Sequence, residues 1–218
     1  MSSFSLPGGL YPILDAAWLE GHAPFWLQGD HPEQLARRLR AVGVALVQLR
    51  CKGSGDAQYR FMARWMGALR TAAPGVRVIV NDRLDIALDL AADGVHVGQE
   101  DLPVAVCRRL LGRERLIGLS THTLDEVVVA ATSGADYIGF GPVFATRTKA
   151  DALDARGTET LAAACRATPL PVAAIGGIDQ AGIGAVAKAG AWSAAMISGC
   201  FNADGGDLLD ALLAAWSG

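Results

Sequence analysis

The hydrophobic positions of this chain fall into short apolar runs, separated by longer segments in which apolar residues recur every three to four positions. The short runs are mostly continuous, which is typical of strands buried on both faces of a parallel sheet. The longer segments have the period of amphipathic helices. The predicted strands are residues 10–15, 45–50, 76–81, 94–98, 116–120, 137–141, 171–176 and 193–198.

A predicted helix follows each of the eight predicted strands. The helices are expected at residues 33–42, 56–71, 83–91, 103–111, 124–133, 159–167, 179–189 and 207–216. Such an alternation indicates the α/β class and closes most naturally into a single (β/α)8 TIM barrel, which we predict as the fold. A doubly wound open sheet is the competing architecture, but its G-x-G-x-x-G turn is absent after the first strand.

The chain length of 218 residues is typical of one such barrel, and no linker-like stretch divides it. We therefore expect a single domain over residues 1–218, with residues 1–9 as a flexible tail. Residues 21–31 are rich in Gly, Pro and aromatic residues and predict a loop. The side chains of Trp18, Phe25 and Trp26 are expected to pack beneath that loop, and the segment 16–30 has no predicted function.

Charge and composition narrow the class of partner. A net charge of -3 gives no basic surface for nucleic acid or a membrane, so we expect small-molecule partners and a local anion site. No apolar run reaches the ~20 residues of a membrane span, and the N-terminus lacks a signal-peptide pattern, which predicts a cytoplasmic protein. The four cysteines have no metal-ligand or disulfide spacing. A homo-oligomer is left open.

Polar residues mark the second predicted strand and its exit. Gln48, Arg50 and Lys52 are spaced by two and share one face, whereas Cys51 points to the other. Because catalysis in such barrels takes place at the carboxyl ends of the strands, two cations there predict an anionic ligand. An internal pair between Arg50 and a carboxylate is the alternative.

Two acids follow the next two strands. Asp82 and Asp101 would converge on one hard cation if both exits open on the same face, and Mg²⁺ prefers such oxygen ligands together with substrate phosphates. Asn81 is a further polar residue beside Asp82. His96 and His122 are interpreted as hydrogen-bonded packing residues.

The later strand exits suggest phosphate binding. The segment 141–149 carries the hydroxyls of Thr146 and Thr148 together with Lys149, a set that suits a phosphate or diphosphate enclosed by a loop. Gly176 and Gly177 would let the backbone approach a ligand closely, before a helix start whose N–H groups could bind phosphate. Ile197 and Ser198 would complete this site, and a simple tight turn is the alternative for either piece.

The motifs QLRCK, NDR, GVHVGQED, GLSTHT, GPVFATRTK and AIGGI occur in this order. With them the chain resembles the thiamine-phosphate synthase family from the first strand to the eighth. The resemblance implies a transferase that joins 4-amino-2-methyl-5-hydroxymethylpyrimidine diphosphate to a thiazole phosphate, or to its carboxylated tautomer. The products would be thiamine phosphate and diphosphate, and Mg²⁺ would be the cofactor.

The resemblance also implies a role for each matching residue. The pyrimidine diphosphate would be bound by Gln48, Arg50, Lys52 and Asn81, and its diphosphate also by Ser120 and Lys149. The metal would be bound by Asp82 and Asp101. The thiazole phosphate would be bound by Thr146, Thr148, Gly176, Gly177, Ile197 and Ser198. The catalytic residues would be Arg50, Lys52, Ser120 and Lys149, which meet the charge of the departing diphosphate in a dissociative reaction. No protein nucleophile is expected.

Three departures from the family pattern are Cys51, where an acid is common, the ending MISGCF of the eighth strand, and the segment 16–30, which is longer than the family needs. Three other functions remain as alternatives to the synthase. A thiazole-phosphate tautomerase would need the thiazole site without the full set of cations and acids. A non-catalytic metabolite-binding barrel would bind one ligand without turnover. A phosphate-handling isomerase of amino-acid biosynthesis is disfavoured by the NDR and GQED pair.

Overall fold

A computed structural model of the protein describes residues 7–53, 55–146, 154–202, 204 and 206–217. Within these residues eight parallel strands form a closed barrel in chain order, with β1 paired to β8. The predicted (β/α)8 fold is confirmed. The strands are Gly9–Asp15 (β1), Leu46–Arg50 (β2), Arg77–Asn81 (β3), Gly94–Val97 (β4), Leu116–Thr121 (β5), Tyr137–Phe140 (β6), Val172–Ile175 (β7) and Ser193–Met196 (β8).

The helices cover the outside of the barrel. They are Ala16–His22 (α1), His31–Ala41 (α2), Gly55–Ala72 (α3), Leu84–Asp89 (α4), Val104–Leu111 (α5), Leu124–Ala130 (α6), Gly157–Ala167 (α7), Ile183–Lys188 (α8) and Leu209–Ser217 (α9). Apart from α1, which has no predicted counterpart, they differ from the predicted ones by a few residues at their ends, where helices fray. Two 3-10 helices, Pro24–Leu27 and Ser198–Cys200, lie between them. Among the described residues, no helix is long and apolar enough to cross a membrane.

Helix α1 was not predicted, and the predicted loop 21–31 is wrong where the end of α1 and the 3-10 helix Pro24–Leu27 fall within it. The Asp15 carboxylate begins α1 by accepting the N–H of Trp18 at 2.9 Å, which satisfies a donor that a helix start leaves unpaired. Trp26 is buried as expected. Phe25 is not: it is 50% exposed and stacks on His31 with ring centroids 3.7 Å apart, so its predicted packing beneath a loop is wrong.

Alternate residues of each strand pack on opposite sides of the barrel wall. In β2, Val47 and Leu49 contact the cluster between barrel and helices, whereas Leu46 belongs to the cluster inside the barrel. Cys51 packs against the outer cluster, as its period-two spacing predicts. The cysteines are all free thiols, Cys107 and Cys200 being buried and the other two half-buried.

The extent of the domain stays a prediction. Residues 1–6 of the expected tail lie outside the described part of the chain, and Gly9 already belongs to β1, where its carbonyl accepts a hydrogen bond from the Ser193 hydroxyl at 2.7 Å. The carboxyl ends of all the strands lie at one end of the barrel because the strands are parallel. The predicted site residues must therefore be sought at that end.

Candidate active site at the carboxyl ends of the strands

The Arg50 guanidinium and the Asp15 carboxylate form a buried ion pair where β1 and β2 end. The two residues are partners in the strand register, and their side chains are 13% and 5% exposed. A buried pair of this kind satisfies two charges that would be costly to bury alone. Of the two interpretations left open for Arg50, the internal carboxylate pair is the one present in this structure. Sequence reasoning missed Asp15, although an acid ending the first strand was a visible signal.

The next strand exit brings Lys52 and Asp82 together in a second ion pair. Lys52 is 60% exposed and Asp82 half-buried, so this pair borders solvent. Asp82 has a φ of 62°, in the left-handed region that Asp tolerates better than most residues. Its backbone N–H donates to the His96 carbonyl at 2.8 Å and thereby attaches this turn to β4. Strained residues of this kind concentrate at functional sites.

Asp101 lies just beyond the end of β4, where its Oδ2 accepts the Gly98 N–H at 2.7 Å. Strands β3 and β4 are paired, so Asp82 and Asp101 follow neighbouring strands. Both offer carboxylate oxygens, the donors that Mg²⁺ prefers. Within the described ranges no group of three or more His, Cys, Asp and Glu side chains is placed to hold a metal. Two carboxylates on neighbouring strands are a donor set that fits a cation which keeps phosphate and water among its ligands.

A chain of hydrogen bonds crosses the barrel interior beneath these exits. Gln48 Nε2 donates to the Tyr11 hydroxyl at 2.9 Å, and the hydroxyls of Tyr11 and Tyr137 lie 2.8 Å apart. His96 joins the chain through Nδ1, 3.1 Å from the Tyr137 hydroxyl, and through Nε2, 2.9 Å from the Ser120 hydroxyl. Gln48 and Ser120, both predicted site residues, are thus connected through three buried side chains. This interior chain could not be found from the sequence, because its tyrosines are 126 residues apart.

Burial raises the pKa of the Tyr11 phenol above its ordinary value and raises that of Tyr137 well above it. Both hydroxyls therefore keep their protons at neutral pH. The ring of His96 fits because β5 carries Gly118 at this level: a Cβ there would clash with His96 Nδ1 and with Tyr137 Cζ. Gly139 on β6 leaves further room, since its Cβ would lie 3.2 Å from His96 Cε1.

A cavity of about 310 Å³ lies on the opposite side, among the loops that follow β6, β7 and β8. It brings together Thr146, Gly177 and Ser198, three of the residues predicted to hold a phosphate. Ile197, also predicted for this site, is buried against the inner cluster. Thr148 and Lys149 lie outside the described residues, so their predicted contribution stays a prediction.

Gly176 and Gly177 have φ values of 101° and 63° and lie against the loop that follows β6. A Cβ on Gly176 would be 2.5 Å from Pro142 Cβ, and one on Gly177 would clash with the Ala145 carbonyl. The two glycines thus allow the loops after β6 and β7 to pack closely against each other. The predicted close approach of this backbone to a ligand stays a prediction.

The helix start after this glycine pair is partly occupied. The Asp179 Oδ1 accepts the N–H groups of Ala181 and Gly182 at 3.0 and 2.9 Å, and α8 begins only at Ile183. The expectation of open N–H groups at a helix start is therefore wrong at these two residues.

Comparison with known proteins decides the family. A sequence model of the family described as thiamine monophosphate synthase matches residues 16–200. The chain belongs to this family. The resemblance predicted from the ordered motifs is confirmed, and with it the predicted transferase class.

Relatives in the thiamine monophosphate synthase family match over most of the chain. The thiamine-phosphate synthase of Syntrophomonas wolfei is 40% identical over 195 residues, which cover 89% of this chain and 88% of the relative. That of Methanospirillum hungatei is 44% identical over 190 residues, 87% of this chain and 88% of the relative. The solved structure of thiamine phosphate pyrophosphorylase from Pyrococcus furiosus has a TM-score of 0.75 and 28% identity, and covers 95% of this chain and 93% of that one.

Proposed function

We propose that the protein forms thiamine phosphate from 4-amino-2-methyl-5-hydroxymethylpyrimidine diphosphate and 4-methyl-5-(2-phosphoethyl)thiazole, or its carboxylated tautomer, with release of diphosphate. The observation that carries the proposal is the division of the strand exits into two unlike halves. One half presents the side chains of Arg50, Lys52, Asp82 and Asp101, and the other is the cavity beside Thr146. A diphosphate with its metal suits the first half, and a phosphate with a small ring suits the second.

In the charged half, Arg50 and Lys52 would bind the diphosphate. Arg50 offers five N–H donors in a planar fork, and its pair with Asp15 uses Nη1 while fixing the plane of the others. Lys52 is exposed and can exchange its partner Asp82 for a phosphate oxygen. Ser120, attached to His96, would add a hydroxyl donor, and Asn81 would line the same half.

Mg²⁺ would be held by Asp82 and Asp101 and would neutralise charge on the leaving diphosphate. The rest of that task falls to Arg50, Lys52 and Lys149, of which Lys149 lies outside the described residues. Preorganised donors of this kind typically contribute about 10²- to 10³-fold each to the rate.

The reaction itself is dissociative. The bond between the pyrimidine methylene carbon and the diphosphate oxygen breaks, and its electron pair leaves with the diphosphate. The electron-rich aminopyrimidine carries the resulting cation until the thiazole nitrogen forms the new C–N bond with its lone pair. The protein therefore has to supply charge and orientation, and no side chain needs to act as a nucleophile.

Orientation of the pyrimidine would come from Gln48. Its amide donates to Tyr11, and the interior chain holds Tyr11 against Tyr137, so the Gln48 side chain has one preferred direction. In the other half, the hydroxyls of Thr146 and Ser198 and the backbone at Gly177 would bind the thiazole phosphate. Thr148 and Gly176 are assigned to the same site by their place in the motifs GPVFATRTK and AIGGI, and Ile197 by its position beside Ser198.

Two other functions use only part of this arrangement. A thiazole-phosphate tautomerase would need the cavity but would leave Lys52, Asp82 and Asp101 without a task, and Arg50 with only its pair to Asp15. A binding protein for one phosphate metabolite would need one half and no turnover. The presence of both halves favours the synthase.

The decisive experiment measures diphosphate release and thiamine phosphate formation in the same reaction, with Mg²⁺ and with EDTA. We expect both products in equal amounts, and only when both substrates and Mg²⁺ are present. Folded protein that binds thiazole phosphate without forming either product would refute the proposal and favour a tautomerase or a binding protein. Testing the bound thiazole carboxylate for isomerisation would then separate those two.

A further inference from the structure

The two stretches that the sequence left unexplained meet at one aromatic ring. Phe201 belongs to the atypical ending of β8, and Trp18 lies in the segment 16–30. Their rings stack with centroids 5.1 Å apart and an interplanar angle of 24°. Trp26, from the same segment, packs against Phe201 at 6.5 Å. The extra helix α1 and the unusual β8 ending are therefore parts of one packed unit.

Phe201 is also held from the backbone side. Its N–H donates to the Ser198 carbonyl at 3.0 Å, and it forms an isolated antiparallel bridge with Asp207. Arg38 on α2 contacts the residue opposite Phe201 through a salt bridge of 3.1 Å to Asp207, and a second salt bridge of 2.7 Å joins it to Asp210 in α9. Phe201 is thus held by its backbone on one side and by two tryptophan rings on the other, and the residue is only 7% exposed.

Phe201 also lines the cavity, together with Leu208. The rest of the lining is mixed: it includes the hydroxyl residues Thr146 and Ser198, the acid Asp179 and the apolar Ile178. The Asp179 carboxylate accepts the N–H groups of Ala181 and Gly182. A volume of about 310 Å³ is at the small end of the ~300–1,000 Å³ typical of ligand cavities. In so small a space, the position of an aromatic ring decides which ring substituents a ligand can carry.

We propose that Phe201 is a specificity-determining residue for the phosphate-bearing heterocycle, and that Trp18 is a positioning residue that fixes its ring. This inference rests on the proposed function. The hydroxyls of Thr146 and Ser198 take the phosphate, and Phe201 with Leu208 supplies apolar surface that limits the substituent on the thiazole carbon. Trp18 acts on the ligand through Phe201.

The test is steady-state kinetics with each substrate varied in turn, and with both the 4-methyl thiazole phosphate and its bulkier 4-ethyl analogue. We expect Phe201→Ala to raise the KM for the 4-methyl substrate roughly 10-fold or more, because a pocket loses about that much for each missing apolar contact. The ratio of kcat/KM for the ethyl over the methyl substrate should rise. The KM for the pyrimidine diphosphate should stay unchanged.

Variants at Trp18 separate positioning from simple packing. Trp18→Ala should reproduce the Phe201→Ala pattern in weaker form, with the same rise in the ethyl-to-methyl ratio, whereas Trp18→Phe should keep the stacked ring and restore the wild-type ratio. Phe61→Ala is the matched control, since Phe61 packs on Trp65 in α3 and does not line the cavity. It should leave both KM values and the ratio unchanged.

The outcomes distinguish the two proposals. If the wild-type protein forms no thiamine phosphate, the proposed function fails and this inference falls with it. A different outcome is that the wild-type protein forms thiamine phosphate while Phe201→Ala leaves the ethyl-to-methyl ratio of kcat/KM and both KM values unchanged, or raises both KM values equally. Either result overturns the role of Phe201 and leaves the proposed function standing. Should Phe201→Ala fail to fold, Phe201→Leu and the calorimetric affinities for the two thiazole phosphates give the same decision.

Discussion

The Asp15 carboxylate contacts both the Arg50 guanidinium and the backbone N–H of Trp18. One buried acid therefore joins the exit of β2 to the start of α1. Arg50 is held in a fixed plane by a residue that the sequence motifs do not include. The segment 16–30 consequently has a physical link to the charged half of the site as well as to the cavity.

Asp15→Asn should destabilise the protein by about 3 kcal/mol, because removing one partner leaves the other charge buried and unpaired. The amide keeps an oxygen that can accept the Trp18 N–H, so α1 should persist. Arg50 should lose its fixed orientation, and kcat/KM for the pyrimidine diphosphate should fall. Urea unfolding and kinetics measure the two effects.

Asp85→Asn is the matched control for that change. Asp85 pairs with Arg83 but is 65% exposed, and exposed pairs contribute little. We expect Asp85→Asn to change the free energy of unfolding of the protein by less than about 1 kcal/mol. Equal losses in the two variants would contradict the structural importance of the Asp15 pair.

Asp101→Asn should reduce turnover about 10²- to 10³-fold and weaken the dependence on Mg²⁺, with little effect on the fold. The amide still accepts the Gly98 N–H, so the loop keeps its bond while the charge is lost. Asp82→Asn should behave alike, and Asn suits the left-handed backbone at this position. Turnover against Mg²⁺ concentration is the measurement. Wild-type activity in either variant would remove that residue from the metal site.

Thr146→Val should raise the KM for the thiazole phosphate more than that for the pyrimidine diphosphate. Valine keeps the shape and removes the hydroxyl, and a hydrogen bond to a charged group contributes about 1.5–3 kcal/mol. Thr132→Val, at an exposed hydroxyl beyond α6, should change neither KM. The reverse order of effects in Thr146→Val would mean that the two substrates occupy the opposite halves.

Stability should fall as the pH rises above about 9. Burial raises the pKa of Cys200 from 9.0 to about 12, so above pH 9 the unfolded chain releases a proton that the native protein retains. The free energy of unfolding then decreases by about 1.4 kcal/mol per pH unit for each such group. Tyr11 and Tyr137 also lower the free energy of unfolding above pH 10.0, the ordinary pKa of a tyrosine, because burial raises the pKa of both.

Urea unfolding at a series of pH values checks this expectation. Cys200→Ala should remove about 1.4 kcal/mol per pH unit of the slope above pH 9. Tyr137→Phe should reduce the slope only above pH 10. Identical slopes in the wild type and in both variants would show that these groups titrate alike in the folded and unfolded chain.

The strand pattern was predictable because continuous apolar runs report burial on both faces, a local property. The inward direction of Gln48 was predictable for the same reason, since the period of two needs no knowledge of the partner strand. Helix α1 was not, because its seven residues are too few for a clear period and its start depends on a cap and on packing against Phe201.

The partners of the polar residues were the least predictable part of the site. Whether Arg50 meets a ligand or a carboxylate depends on which side chain lies opposite in the register of β1, and the sequence left that open. The connection from Gln48 to Ser120 likewise depends on tyrosines from distant strands. Motifs identify the exits that carry chemistry, and the barrel geometry decides which of their side chains are paired.

Gly118 has one further consequence, for how this protein can vary. The space where its side chain would stand is occupied by the rings of His96 and Tyr137. The residue at each of these three positions is constrained by the residues at the other two. We therefore expect tolerated substitutions at positions 96, 118 and 137 to occur together and not singly. In a library that randomises all three positions, functional clones should show paired choices, with a larger residue at 118 only where both rings have become smaller.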